Sequence, residues 1–110
     1  MNTTYLQTLS QSILAKAVND VNGHSENESY SFADLANHSL DELGFDDLDI
    51  VEFMMNMENM ACIAMDDSFF MQKSKKGFFK KQEETNFNIK LTFREIADYL
   101  CGLMYSSLNS

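Results

Sequence analysis

The chain predicts an all-α fold, and three observations carry that expectation. It has no proline and only four glycines in 110 residues, a composition that suits helices better than a succession of tight turns. Apolar residues recur every three or four positions over its first and last segments, the period of one helical face. Helix-capping residues stand just ahead of these runs. A chain of 110 residues is one domain, residues 1–110. At this size folding buries about two-thirds of the unfolded surface, enough for one core without staples. Apolar content of 45% fits a globular protein.

The first segment runs from about Thr4 to Val21, with Leu6, Leu9, Ile13, Ala17 and Val21 on one helical face. Thr3 or Thr4 is the expected cap and Asn22-Gly23 the stop. Residues 24–30 (HSENESY) read as a polar loop. Ser31-Phe32-Ala33-Asp34 has capping-box-like spacing, which predicts a short helix near Phe32–Asn37. Leu40 and Leu43 then lead to a break at Gly44.

Asp46 is a natural N-cap for a helix over about 47–64. Asp47 and Asp49 fall in its first turn, where the helix dipole favours negative charge. This helix has two apolar lines. Leu48, Val51 and Met55 make one; Ile50, Phe53, Met54, Met57 and Ala61 make the other. One line faces the core, and the second must cover the rest of the domain or a partner. The methionines at 54, 55, 57 and 60 supply adaptable, polarizable surface.

Residues 66–72 predict a single helical turn. Lys73–Lys81 holds five lysines around Gly77 and reads as a loop or hairpin tip. Phe87, Ile89 and Leu91 alternate with polar residues, a strand signal. Thr92-Phe93-Arg94-Glu95 is a capping box that opens the last helix. Phe93, Ile96, Ala97, Leu100, Leu103 and Met104 line its apolar face, and 106–110 read as a frayed tail.

Net charge is −9, and its distribution is uneven. From Ala17 to Gln72 there are thirteen Asp or Glu and no Lys or Arg. Such a block steers basic partners and repels nucleic acid. The lysine cluster with Phe78 and Phe79 carries a nucleic-acid hint, but the surrounding charge opposes it, and it reads as a solvated loop. No run approaches the roughly 20 apolar residues of a membrane span. No secretory signal stands at the start, so the expected compartment is the cytoplasm. Cys62 and Cys101 read as two buried, reduced thiols. His24 and His38 read as exposed loop histidines. No catalytic constellation, Gly-rich phosphate loop or calcium-loop order is present, so the sequence reads as a binding protein with no cofactor or metal, not as an enzyme.

Residues 43–52, Leu43-Gly44-Phe45-Asp46-Asp47-Leu48-Asp49-Ile50-Val51-Glu52, resemble the attachment signature of acyl carrier proteins, leucine-glycine-x-aspartate-serine-leucine-aspartate-x-valine-glutamate. Thr92, Ile96, Asp98, Tyr99 and Leu100 resemble the family's closing segment, and Met65-Asp66-Asp67 stands where the family has isoleucine-proline-aspartate. The resemblance covers roughly 40–67 and 92–103. It implies a four-helix bundle in which a Lys-rich loop or hairpin, about residues 70–90, is inserted between the second and fourth helices. In that family the serine hydroxyl carries a phosphopantetheine arm. Asp47 occupies that position here, and a carboxylate offers no hydroxyl for the phosphodiester. Ser39, in Ser39-Leu40-Asp41, is a weaker alternative attachment residue, because Gly44 breaks the helix that should follow and His38 replaces the preceding aspartate.

The resemblance therefore implies a carrier fold without the arm. Carrier proteins present the acidic second helix to basic patches on partner proteins. Asp46, Asp47, Asp49, Glu52, Phe53, Met57 and Glu58 are the expected partner-binding residues. The most concrete version is an immunity- or antitoxin-type inhibitor of a basic toxin or nuclease. The alternatives are a true acyl carrier or a carrier-mimic regulatory subunit of an acyl-transfer system.

Overall fold

The computed structural model describes residues 3–23, 29–71 and 87–108. Four helices follow one another: α1 (Thr3–Asn22), α2 (Phe32–Leu35), α3 (Asp47–Ala61) and α4 (Phe93–Leu108). Two 3-10 turns, Asp41–Leu43 and Asp67–Phe70, flank α3. Among the described residues the protein is all-α, and the only β pairing is two isolated bridges, Ser39–Thr92 and Met71–Phe87. No described helix is long and apolar enough to cross a membrane.

Helix α1 packs against α3 and α4 and is the centre of the bundle. Its buried stripe is Leu6, Ser10, Ile13, Leu14, Ala17 and Val18. The expected face was therefore rotated slightly: Leu9 and Val21 sit at its edge, half-buried. Ser10 is tolerated inside because its hydroxyl donates to the Gln7 carbonyl at 3.0 Å, which satisfies the buried polar group. Both Thr3 and Thr4 lie within α1, so its cap falls outside the described residues. Gly23 ends it with a φ of 69°, the left-handed conformation glycine adopts without cost. The chain returns to α1 through a two-way clamp. The Asn19 amide donates to the Tyr30 carbonyl and the Tyr30 N–H donates to Asn19 Oδ1, both at 2.9 Å. The His24 end of the polar loop lies outside the described residues.

Each shorter element starts where its capping chemistry places it. Ser31 and Asp34 form the reciprocal capping box of α2. Gly44 ends the 3-10 turn with a φ of 79°. Asp46 and Asp49 form a second box at the head of α3: the Asp49 N–H donates to Asp46 Oδ1 at 2.9 Å and the Asp46 N–H to Asp49 Oδ2 at 3.1 Å. Thr92 and Glu95 form a third at α4. Each such cap stabilises a helix by about 1 kcal/mol.

The core holds the inner face of α3 (Ile50, Phe53, Met54, Met57), the α4 residues Phe93, Ile96, Ala97, Leu100 and Met104, and Phe45 and Phe70 from the connections. Phe45, Phe53 and Phe93 pack edge to face with ring centroids 5.8–6.0 Å apart. Such pairs add about 0.5–1.5 kcal/mol each beyond burial.

Four sequence expectations are corrected. Helix α3 ends at Ala61, with Cys62 in the left-handed region at φ 57°. Cys62 is therefore exposed and Cys101 only partly buried, both as free thiols. Residues 87–91 form no strand. Asn88 Oδ1 accepts the Lys90 N–H at 3.1 Å and the Leu91 N–H donates to the Asn88 carbonyl, so the chain turns, with Phe87 and Leu91 buried and Ile89 exposed. Helix α4 continues through Leu108, past the point of expected fraying. The Lys73–Lys81 cluster lies outside the described residues.

Candidate functional site

What positions the head of α3 is a strap between two connections. The Leu40 and Asp41 N–H groups donate to the Leu91 and Ile89 carbonyls, each at 3.0 Å. The Phe93 and Arg94 N–H groups return to the His38 and Ala36 carbonyls, also at 3.0 Å. Side chains reinforce it. Asp41 accepts from Lys90 Nζ at 2.7 Å and from the Ser39 hydroxyl. Glu42 accepts the Ser39 N–H at 3.1 Å and pairs with His38 Nδ1 at 3.0 Å. The Lys90 ammonium, then the Ser39 hydroxyl, holds the Asp41 carboxyl below the ordinary carboxylate range. The Ser39 N–H, then His38, does the same for Glu42. Asp41 in turn raises the Lys90 ammonium.

Ser39 is thus a structural residue. It is buried, paired with Thr92 and hydrogen-bonded to Asp41. A hydroxyl so placed is a poor attachment point, which removes Ser39 as the alternative. Asp47, by contrast, is exposed at the first position of α3.

The expected partner-binding residues separate into three groups. Asp46, Asp47 and Glu52 are exposed. The Asp47 and Glu52 side chains make no hydrogen bond or ion pair among the described residues, while Asp46 and Asp49 cap each other. Glu58 is half-buried, and its Oε2 accepts the Met65 N–H at 2.7 Å, closing the turn after α3. Phe53 and Met57 are corrected: both are 0% exposed. Both belong to the buried core cluster, with Phe53 packed on Phe93 of α4, and neither offers surface to a partner.

In their place the structure exposes the other apolar line. Leu48 is 76% exposed, Met55 54% and Val51 41%. At 100° per residue these three lie opposite Ile50, Phe53 and Met57. Asp47 and Glu58 border the ridge on one side and Glu52 on the other. The three ion pairs among the described residues, Lys16–Asp20, His38–Glu42 and Lys90–Asp41, leave all of these acids unpaired. Residue pattern held the clue: the line that shares its side of the helix with Glu52 is the outer one. Chemically, the face offers apolar contact inside an acidic rim. It has no nucleophile–base pair, and among the described residues no group of three metal-ligating side chains occurs.

Compared with known proteins, the chain matches no family model, no curated protein and no solved structure.

Proposed function

We propose that this protein is a non-acylated, carrier-like binding module that docks the outer face of α3 on a basic surface of another protein. The observation that carries the reading is the exposed Leu48–Val51–Met55 ridge set among unpaired carboxylates. An apolar centre with a charged rim is the anatomy of a protein interface. Its charge calls for a basic partner and a fast, salt-dependent encounter. The order of helices and the 43–52 motif support an acyl-carrier-like bundle. Asp47 at the attachment position preserves the charge and removes the arm. An immunity- or antitoxin-type inhibitor of a basic toxin or nuclease fits this chemistry best. A carrier-mimic subunit that occupies the docking site of an acyl-transfer enzyme is the second reading, favoured by the exposed placement of Asp47 at the first residue of α3.

The test is kinetic. The basic protein that co-purifies with the tagged chain is isolated, and its association is followed with wild type and with Asp47→Lys/Glu52→Lys. These positions are preferable to Asp49, whose carboxylate is part of the cap. The double variant should slow association about tenfold or more at low ionic strength, with the difference shrinking in salt. An unchanged association rate in a folded variant would move the interface away from α3. Recovery of a toxin- or nuclease-like protein selects the inhibitor; recovery of an acyl-transfer enzyme selects the mimic.

A further inference from the structure

Beside the outer ridge of α3 lies a groove of about 390 Å³, within the usual range of small binding sites. Met54 and Met55 of α3 form one wall. Met71 and Phe87, joined by their isolated bridge, form the other. Val51, Glu58 and Asp67 complete the lining, and neither carboxylate belongs to an ion pair among the described residues. Glu58 spends Oε2 on the Met65 N–H, and its Oε1 accepts no hydrogen bond among the described residues.

This lining selects its occupant. Thioethers and an aromatic ring are soft, polarizable partners for an alkyl chain and for the flat face of a cation. Two carboxylates repel an anion, and a wholly apolar occupant would strip water from them without compensation. An alkyl stem carrying a cationic head satisfies both parts. A guanidinium meets them better than an ammonium, because it is planar, weakly hydrated and able to fork onto a carboxylate. A second copy of the chain is a poor source: it carries a net charge of −9, and its single arginine, Arg94, is hydrogen-bonded to Asn37.

We infer that this groove is the anchor pocket for an arginine side chain of the basic partner. The stem lies across Met54, Met55, Met71 and Phe87, and the guanidinium is held by Glu58 and Asp67. The inference rests on the docking reading above and adds the residue type the partner must present. Arginine is among the residues most often found as interface hot spots.

The methionines are their own reporters. The full chain, labelled at its methionine methyl groups, is titrated with n-butylguanidinium chloride at constant ionic strength, with n-butanol and guanidinium chloride as stem-only and head-only controls. The methyl resonances of Met54, Met55 and Met71 should shift saturably, with a dissociation constant on the order of 1 mM for so small a probe, while Met104 in the core stays still. Glu58→Gln/Asp67→Asn should weaken the response tenfold or more. The Gln retains an acceptor for the Met65 N–H, so the turn survives. No saturable shift, or an equal response to n-butanol, overturns the arginine pocket. If that occurs while Asp47→Lys/Glu52→Lys still slows partner association, the docking face stands and only the pocket falls. A saturable response with unchanged partner association refutes the docking face and leaves a guanidinium site without its role as the partner's anchor.

Discussion

Helix α3 carries two apolar faces of similar composition and opposite fate. The inner one (Ile50, Phe53, Met54, Met57) is buried on the side that packs against α1, with Phe53 edge to face on Phe93 of α4; the outer one (Leu48, Val51, Met55) meets solvent. Hydropathy alone does not separate them. Neighbours in space do, and so does the company each line keeps along the helix. The inner face works through close packing, where every methylene is felt. The outer face has less packing to lose, so its apolar groups count most when something covers them.

The sharpest way to break this comparison is to truncate each face in turn. Phe53→Ala removes one of the three mutually packed rings Phe45, Phe53 and Phe93 and should cost about 3–5 kcal/mol, read as a lower midpoint in denaturant unfolding. Leu48→Ser/Val51→Ser should leave the midpoint within about 0.5 kcal/mol yet weaken partner binding tenfold or more, about 1.4 kcal/mol, by calorimetry. Comparable destabilisation from both variants would mean that the outer ridge is packed within the chain.

A smaller effect sits where the helix ends. Cys62 holds a left-handed backbone that costs a side-chain-bearing residue about 1–2 kcal/mol. Cys62→Gly should therefore raise stability by roughly 1 kcal/mol. Partner affinity should not change, because Cys62 lines neither the ridge nor the groove. Altered affinity would show that the two faces communicate through the end of α3.

The smallest effect concerns the strap. Asp41 and Glu42 are held below the ordinary carboxylate range. Their contribution is present above that range and is lost as pH falls through the lowered folded values. Lys90 is raised, so its contribution is present below the ordinary lysine value and lost as pH rises through the folded one. Stability should thus be level near neutrality. The melting temperature should fall as pH drops below about 5 and through the lowered folded values, less steeply in Asp41→Asn. Glu42 and Lys90 are exposed and Asp41 is half-buried, and added salt should flatten the acid limb. An identical slope in Asp41→Asn would remove the Lys90–Asp41 pair from the account.

Much of the fold was legible because it rests on local chemistry. Ser31, Asp46 and Thr92 cap helices through partners three residues away, and Gly23 and Gly44 end segments through their own φ. What escaped was decided at a distance or by a single turn. Nothing local marks Cys62 as the end of α3, since its left-handed conformation is one that side chains usually avoid. Alternation at 87–91 suggested a strand, but the Asn88 side chain bends the chain there, and period two becomes a buried pair four residues apart. On the outer face of α3 the exposure of Asp47 and Glu52 was legible, and which apolar line stands beside them was not. Phe53 and Met57 share a helix with Leu48 and Val51, and only the placement of α1 and α4 decides which line is covered. The groove was out of reach of pattern, because Met55, Asp67 and Phe87 meet only in the folded chain.

Met54 belongs to both regimes: it is 7% exposed in the core, yet it lines the groove. A library randomised at 48, 51, 52 and 55 should explore new partners while nearly every clone still folds. Randomising 54 would couple each gain in recognition to a change in the core. If the outer face docks a partner as proposed, substitutions that change the partner should fall on the ridge first and at Met54 last.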